Sequence, residues 1–185
     1  DDTLVVYTSD HGDLLGEHGL FNKAATFYES EIRVPFMVRF PDGYRAGERL
    51  AGFASGIDVL PTLIEIIGFK PDVSLPGISL LPAMRGEGPA RDLVTCTNTR
   101  GMMIRTDRQK LWYNPIDGDG EMYDLERDPM ELDNLFGRPE HSEMRRALFE
   151  RMLHARIRDD QRFSQPTERD KRLHAEVNSS YEPET

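Results

Sequence analysis

Leu4-Val5-Val6-Tyr7-Thr8-Ser9-Asp10-His11-Gly12-Asp13 opens the stretch that decides the fold. An apolar, β-branched run stops at an acid, an imidazole and a glycine, and a glycine-bearing loop then leads to Lys23. Residues 3 to 9 alternate poorly, as a parallel strand covered on both faces does. Open α/β folds keep their ligands at the carboxyl edge of such strands, so an active-site edge is expected here. Neighbours on a strand point to opposite faces, but past a strand end the backbone turns and both side chains can reach one ion.

Working outward, Val34 to Phe40 reads as a second strand, closed by Pro41-Asp42-Gly43, with Pro35 at its beginning or edge. A short helical turn is expected around Ala24 to Glu31, and Glu29 and Arg33 are spaced for an ion pair on it. Residues 57 to 68 read as an amphipathic helix whose Ile57, Leu60, Leu63, Ile64 and Ile67 pack a core. Residues 70 to 91 shift to Pro, Gly and short apolar pieces, the composition of connecting structure. Strands are predicted at 92–97, 101–106, 109–114 and 121–125, separated by turn residues at hairpin spacing. From Ser142 to Arg158, Met144, Leu148, Met152 and Ile157 trace a helix face that should pack on this small antiparallel sheet. After Phe163 the chain is almost wholly polar and reads as a tail. The expected organisation is an α/β part over 1–90, a small α+β subdomain over 91–163 and the tail over 164–185.

The segment YTSDHGDLLGEHGLFNKAATFYESEIRVPFMVRFPDG closely resembles the metal-site region of the sulfatases, which belong to the alkaline-phosphatase-like superfamily. The resemblance continues through SGIDVLPTLIEIIG, PGISLLPAMRGEG and EMYDLERDPMELDNL, so it covers roughly residues 1 to 160. It implies a partial alkaline-phosphatase-like parallel sheet core, then a small antiparallel sheet with a packed carboxyl-terminal helix. It also implies that Asp10 and His11 are metal ligands, with calcium first, since some sulfatases that share the histidine are calcium enzymes, and manganese or zinc second, since an imidazole is softer than an all-oxygen set. Lys23 falls where the family places a catalytic lysine that steadies charge on the leaving group. His18, in Gly16-Glu17-His18-Gly19, is a secondary catalytic candidate: it either meets substrate as contact or general acid, or braces the loop. Asp13 and Glu17 read as loop-stabilising or solvated.

The implied activity is hydrolysis of a sulfate monoester, on a small-molecule or carbohydrate substrate. A phosphonate monoester hydrolase or phosphodiesterase of the same superfamily, or a non-catalytic module, are the alternatives. The family nucleophile is a formylglycine made from a Cys- or Ser-x-Pro-x-Arg motif that precedes the metal motif, so the amino-terminal half of the enzyme is expected as a missing partner. Cys96-Thr97-Asn98-Thr99-Arg100 imitates that motif but has Asn98 where proline is needed, and Cys96 reads as a small buried apolar residue of a strand.

Composition narrows the remaining classes. A formal charge of -10 argues against nucleic acid as a general partner, because phosphate backbones are bound by surplus Lys and Arg. It does not argue against an anionic ester, which a local cationic site attracts. No run approaches the roughly 18 apolar residues of a membrane span. The lone cysteine rules out an internal disulfide, and His141, His154 and His174 read as surface residues. Compartment stays open, as does an oligomer formed through the tail.

Overall fold

A computed structural model of the chain describes residues 2–70, 74–88, 91–163, 170–172 and 175. It divides into two compact units, residues 1–54 with 88–153 and residues 55–87 with 154–185.

In the first unit β1 (Val5–Thr8) pairs with β2 (Phe36–Arg39), with Val5 opposite Arg39 and Thr8 opposite Phe36. The pairing is antiparallel, which corrects the expectation of a parallel strand as far as the described residues go. The physical reason lies in the connection. A parallel partner needs a crossover that carries the chain back over the sheet, whereas α1 (Glu29–Ile32) is a single turn. The chain therefore re-enters beside the strand it left. Val5, Tyr7 and Met37 are exposed on this pair.

The second sheet is an antiparallel meander of β3 (Leu93–Asn98), β4 (Gly101–Thr106), β5 (Gln109–Tyr113) and β6 (Gly120–Asp124), close to the expected strands. Turn chemistry sets its register. The Asn98 carboxamide accepts the Arg100 amide at 2.8 Å, and a side chain at Gly101 would meet the Tyr113 carbonyl at 2.2 Å. Ile104, Leu111 and Met122 are fully buried. Removing any one to alanine would cost roughly 2–5 kcal/mol.

The terminal helix α4 (Ser142–Phe163) runs past the expected end at Arg158. Leu148 and Met152 are buried as expected, and Phe149 meets Tyr113 edge-on with ring centroids 5.0 Å apart. Ile157 is exposed and Ala155 takes the buried place. Helical geometry explains the difference, because 148, 152 and 155 follow the i, i+4, i+7 stripe and 157 falls off it. The tail expected over 164–185 lies largely outside the described residues.

Residues 1–54 group with the small sheet in one unit. Buried polar contacts explain this: Lys110 of β5 donates to the Phe27 carbonyl at 2.8 Å and pairs with Glu29 at 2.9 Å and with Glu131.

In the second unit α2 (Val59–Ile66) is shorter than expected, and its apolar stripe is not core. Leu60, Ile57 and Ile67 are exposed, while Asp58 and Thr62 are buried. The polar pair is buried because it is fully used: Asp58 accepts the Ile78 amide at 2.8 Å and Thr62 accepts the Leu80 amide at 2.9 Å. Segment 70–91 also holds a short helix, α3 (Leu81–Arg85), which composition alone did not show. Pro82 is compatible with its first turn and Gly86 closes it in the left-handed region.

Candidate functional site

At the end of β1 the backbone turns and the Asp10 and His11 side chains come together. His11 Nε2 lies 3.6 Å from Asp10 Oδ2. His11 Nδ1 lies 2.7 Å from the Gly12 carbonyl oxygen, which can only accept, so Nδ1 carries the proton. In the neutral ring Nε2 then carries the lone pair, and it lies close enough to Asp10 Oδ2 for the two to hold one cation or share a proton. The Asp10 carboxyl sits below its usual range, chiefly through backbone N–H groups, its own and that of His11. The His11 amide donates to Asp10 Oδ1 at 3.0 Å, and the Ser9 hydroxyl donates to the His11 carbonyl at 2.8 Å.

Gly12 makes this turn possible. A Cβ there would lie 1.9 Å from the Ser30 carbonyl oxygen, and the Gly12 amide donates to the Glu31 carbonyl at 2.7 Å. The buried Glu31 carboxylate, in turn, accepts the amides of Ala25 and Thr26 at 3.1 and 2.8 Å, along with the Thr26 hydroxyl. One residue therefore closes both ends of the loop. We expect Gly12→Ala to displace α1 from the turn, since no flexible side chain is available to give way, and to destabilise the protein by more than about 2 kcal/mol. Urea unfolding checks this; an unchanged midpoint would contradict it.

Between these closures the chain doubles back. The Leu14 amide donates to the Asn22 carbonyl at 3.2 Å and the Gly16 amide to the Leu20 carbonyl at 2.8 Å, so the loop returns on itself before the exposed Lys23. Gly16 and Gly19 adopt positive φ, and so do four residues with side chains: Leu15, His18, Asn22 and Ala25. Each such residue stores on the order of 1 kcal/mol, and strain of this kind clusters at functional sites. Asp13 stabilises the loop, its carboxylate accepting the Leu15 amide at 2.9 Å. The His18 ring stacks on Tyr28 at 3.6 Å with the planes 7° apart.

The small sheet and the turn after β6 anchor the returning arm of the loop residue by residue. Asn98 donates to the Ala25 carbonyl at 2.8 Å, Lys110 to that of Phe27, Tyr28 to Glu121, and the Glu29 amide to Glu131 at 2.7 Å. Reading the sequence missed all four anchors. For Lys110 a signal existed: it shares a strand face with Trp112, two residues on, so a solvated lysine was not the natural reading. The expected Glu29–Arg33 ion pair is also corrected. Arg33 caps the one-turn α1 in an extended conformation, and Glu29 instead pairs with Arg105 at 3.1 Å and with Lys110. Burial alone would raise the Glu29 carboxyl, but these two cations outweigh it and hold it below the ordinary range.

Cys96 packs against the core cluster of Phe27, Met103 and Trp112, and burial pushes its thiol up. A nucleophile would need the opposite shift. His154 is exposed, and His174 lies outside the described residues. Among the described residues no group of three or more His, Cys, Asp or Glu side chains gathers where a metal could bind. No described helix is long and apolar enough to cross a membrane.

Known proteins resemble this chain. Residues 16–158 match the family described as N-sulphoglucosamine sulphohydrolase, C-terminal. An N-acetylglucosamine-6-O-sulfatase of Bacteroides thetaiotaomicron is 34% identical over 81% of this chain and 29% of its own length. A choline-sulfatase of Rhizobium meliloti is 36% identical over 75% of this chain and 28% of its own. Among solved structures, one holding its substrate D-glucosamine-2-N,6-O-disulfate superposes with a TM-score of 0.77 at 30% identity, covering 90% of this chain and 36% of that one. The phosphonate monoester hydrolase of Agrobacterium radiobacter superposes with a TM-score of 0.76 at 28% identity, covering 85% and 36%. The chain thus spans about a third of the length of the relatives it matches. It belongs to the sulfatase family, within the alkaline-phosphatase-like fold, and corresponds to the carboxyl-terminal portion of those enzymes.

Proposed function

We propose that the enzyme containing this chain is a metal-dependent hydrolase of sulfate monoesters, with Asp10 and His11 as metal ligands and Lys23 as the charge-stabilising group. The observation that carries the reading is the closeness of His11 Nε2 to Asp10 Oδ2, 3.6 Å, with Nδ1 tied to a backbone carbonyl. Ligating histidines are held in this manner, the distal nitrogen donating to a fixed acceptor. The donor set, a carboxylate and an imidazole, fits a divalent ion as one side of a site; calcium ranks first on the family resemblance, and the imidazole also suits manganese or zinc. When bound, such an ion polarises the sulfuryl oxygens of the ester. Asp10 contributes the negative charge that holds it, and the Gly12 carbonyl keeps the imidazole in the ligating tautomer. Lys23 places an ammonium on the returning arm of the loop, where it steadies negative charge on the departing ester oxygen. The family implies a formylglycine nucleophile, and Cys96 does not fit its motif.

The similarity to glucosamine sulfatases supports a carbohydrate sulfate as substrate class. A second reading, phosphonate monoester hydrolysis, is favoured by the close superposition on a hydrolase of that kind. Sulfate release from glucosamine-6-sulfate and an aryl sulfate, compared with turnover of a phosphonate monoester, tests the two. Sulfate esters are expected to turn over at least tenfold faster; the reverse ranking would overturn the sulfatase reading. The 185-residue chain by itself should show no turnover, since it carries no Cys- or Ser-x-Pro-x-Arg motif.

A further inference from the structure

Glu121 stands on β6 and takes no part in the chemistry above, yet three side-chain donors converge on it. Trp112 Nε1 donates to Oε2 at 2.7 Å, Tyr123 donates to the same oxygen at 2.9 Å, and the Tyr28 hydroxyl donates to Oε1 at 3.4 Å. Burial, reinforced by the Glu121 charge, pushes the phenols of Tyr28 and Tyr123 up, so both remain donors through the neutral range. Tyr28 is the member outside the sheet, and its ring stacks on that of His18 at 3.6 Å. His18 needs such support: its backbone is left-handed, with φ at 53°, a conformation that side-chain-bearing residues hold only when their surroundings enforce it. Arg100 covers the far end of the assembly, its guanidinium 5.1 Å from the Trp112 ring centroid.

We propose that Glu121 is a positioning residue for the candidate site, holding Tyr28 so that its ring fixes His18 in the loop between the metal ligands and Lys23. The small sheet then does more than cap the fold, because a carboxylate on its last strand sets the conformation of the loop. Any consequence for turnover rests on the sulfatase reading, whereas the ring contact does not.

The test uses the complete enzyme with selectively ¹³C-labelled histidine, the His18 resonance being assigned by His18→Gln. Stacked over Tyr28, the His18 ring protons lie in its shielding zone. They should move downfield in Tyr28→Leu and in Glu121→Ala, and stay near their wild-type position in Glu121→Gln, whose amide still accepts from Trp112 and donates to Tyr28. Melting temperatures show that each variant is folded. In turnover, Glu121→Ala and His18→Ala should each lower kcat/KM about tenfold, and the double variant no further than either alone, as expected of coupled groups. His18 resonances unmoved in folded Glu121→Ala, or additive losses in the double variant, would overturn the proposal. An enzyme silent toward sulfate esters whose His18 resonance still moves would count against the sulfatase reading and for the positioning role.

Discussion

Lys23→Ala should lower kcat of the complete enzyme by about 10²–10³-fold, the loss typical of removing one charge-stabilising donor from a preorganised site. Its effect on stability should stay within about 0.5 kcal/mol, because Lys23 is exposed in a loop whose closures are made by other residues. The division between kcat and KM is informative. A group that acts on charge developing in the transition state lowers kcat and kcat/KM alike, whereas a lysine that only attracts the anionic ester raises KM and leaves kcat in place. Steady-state kinetics with an aryl sulfate, beside a melting curve, gives both answers; near-normal kcat would remove Lys23 from the chemistry.

Lys110→Met should have the largest effect on stability, about 3–5 kcal/mol, as breaking a buried ion pair leaves its partners uncompensated. Lys110 is 1% exposed, and its loss strands the Glu131 carboxylate and the Phe27 carbonyl and leaves Glu29 with Arg105 alone. The pH dependence has a definite sign. In the wild type Glu29 is held below its ordinary range, so its contribution is present above the unfolded value, about 4.3, and is lost as pH falls through the folded one. Glu131 works the other way: burial raises its carboxyl despite Lys110, so stability falls as pH rises from the unfolded value through the raised one. Without the ammonium both carboxyls shift toward the protonated form, Glu131 the more because Glu29 keeps Arg105. The deficit of Lys110→Met relative to wild type should therefore narrow as pH is lowered toward 4, and adding Glu131→Gln should recover part of it. Urea unfolding between pH 4 and 8 measures this; a constant deficit below 1 kcal/mol would contradict it.

Local signals carried much of this fold. Turn residues at Arg100-Gly101 and Asp107-Arg108 separated β-branched and aromatic runs, so the meander was legible to within a residue or two, as was most of α4. Adjacent Asp10 and His11 after an apolar run were legible too, because strand-end chemistry depends on neighbours in sequence. What escaped were partners far apart in the chain. Lys110 and Phe27 are 83 residues apart, Tyr28 and Glu121 93, and Glu29 and Glu131 102. A charged residue in a strand gives little sign of which distant carboxylate it will meet. The Glu29–Arg33 pair failed for a related reason, since i, i+4 spacing has meaning only where the helix continues, and α1 ends after one turn. On α2 the apolar stripe was read correctly as a stripe, but Asp58 and Thr62 took the buried side because each found partners in residues 78–80. The parallel strand was inferred from apolar content, which reports coverage of faces and leaves strand direction open.

The central claim is that Asp10 and His11 hold one metal ion beside Lys23. A crystal structure of the complete enzyme, with anomalous data collected for the bound metal and a sulfate ester analogue present, tests it most directly. An anomalous peak is expected within bonding distance of both Asp10 Oδ2 and His11 Nε2, with the Lys23 ammonium against the ester oxygen. A metal bound without either residue, or a Lys23 directed away from the ester, would contradict it.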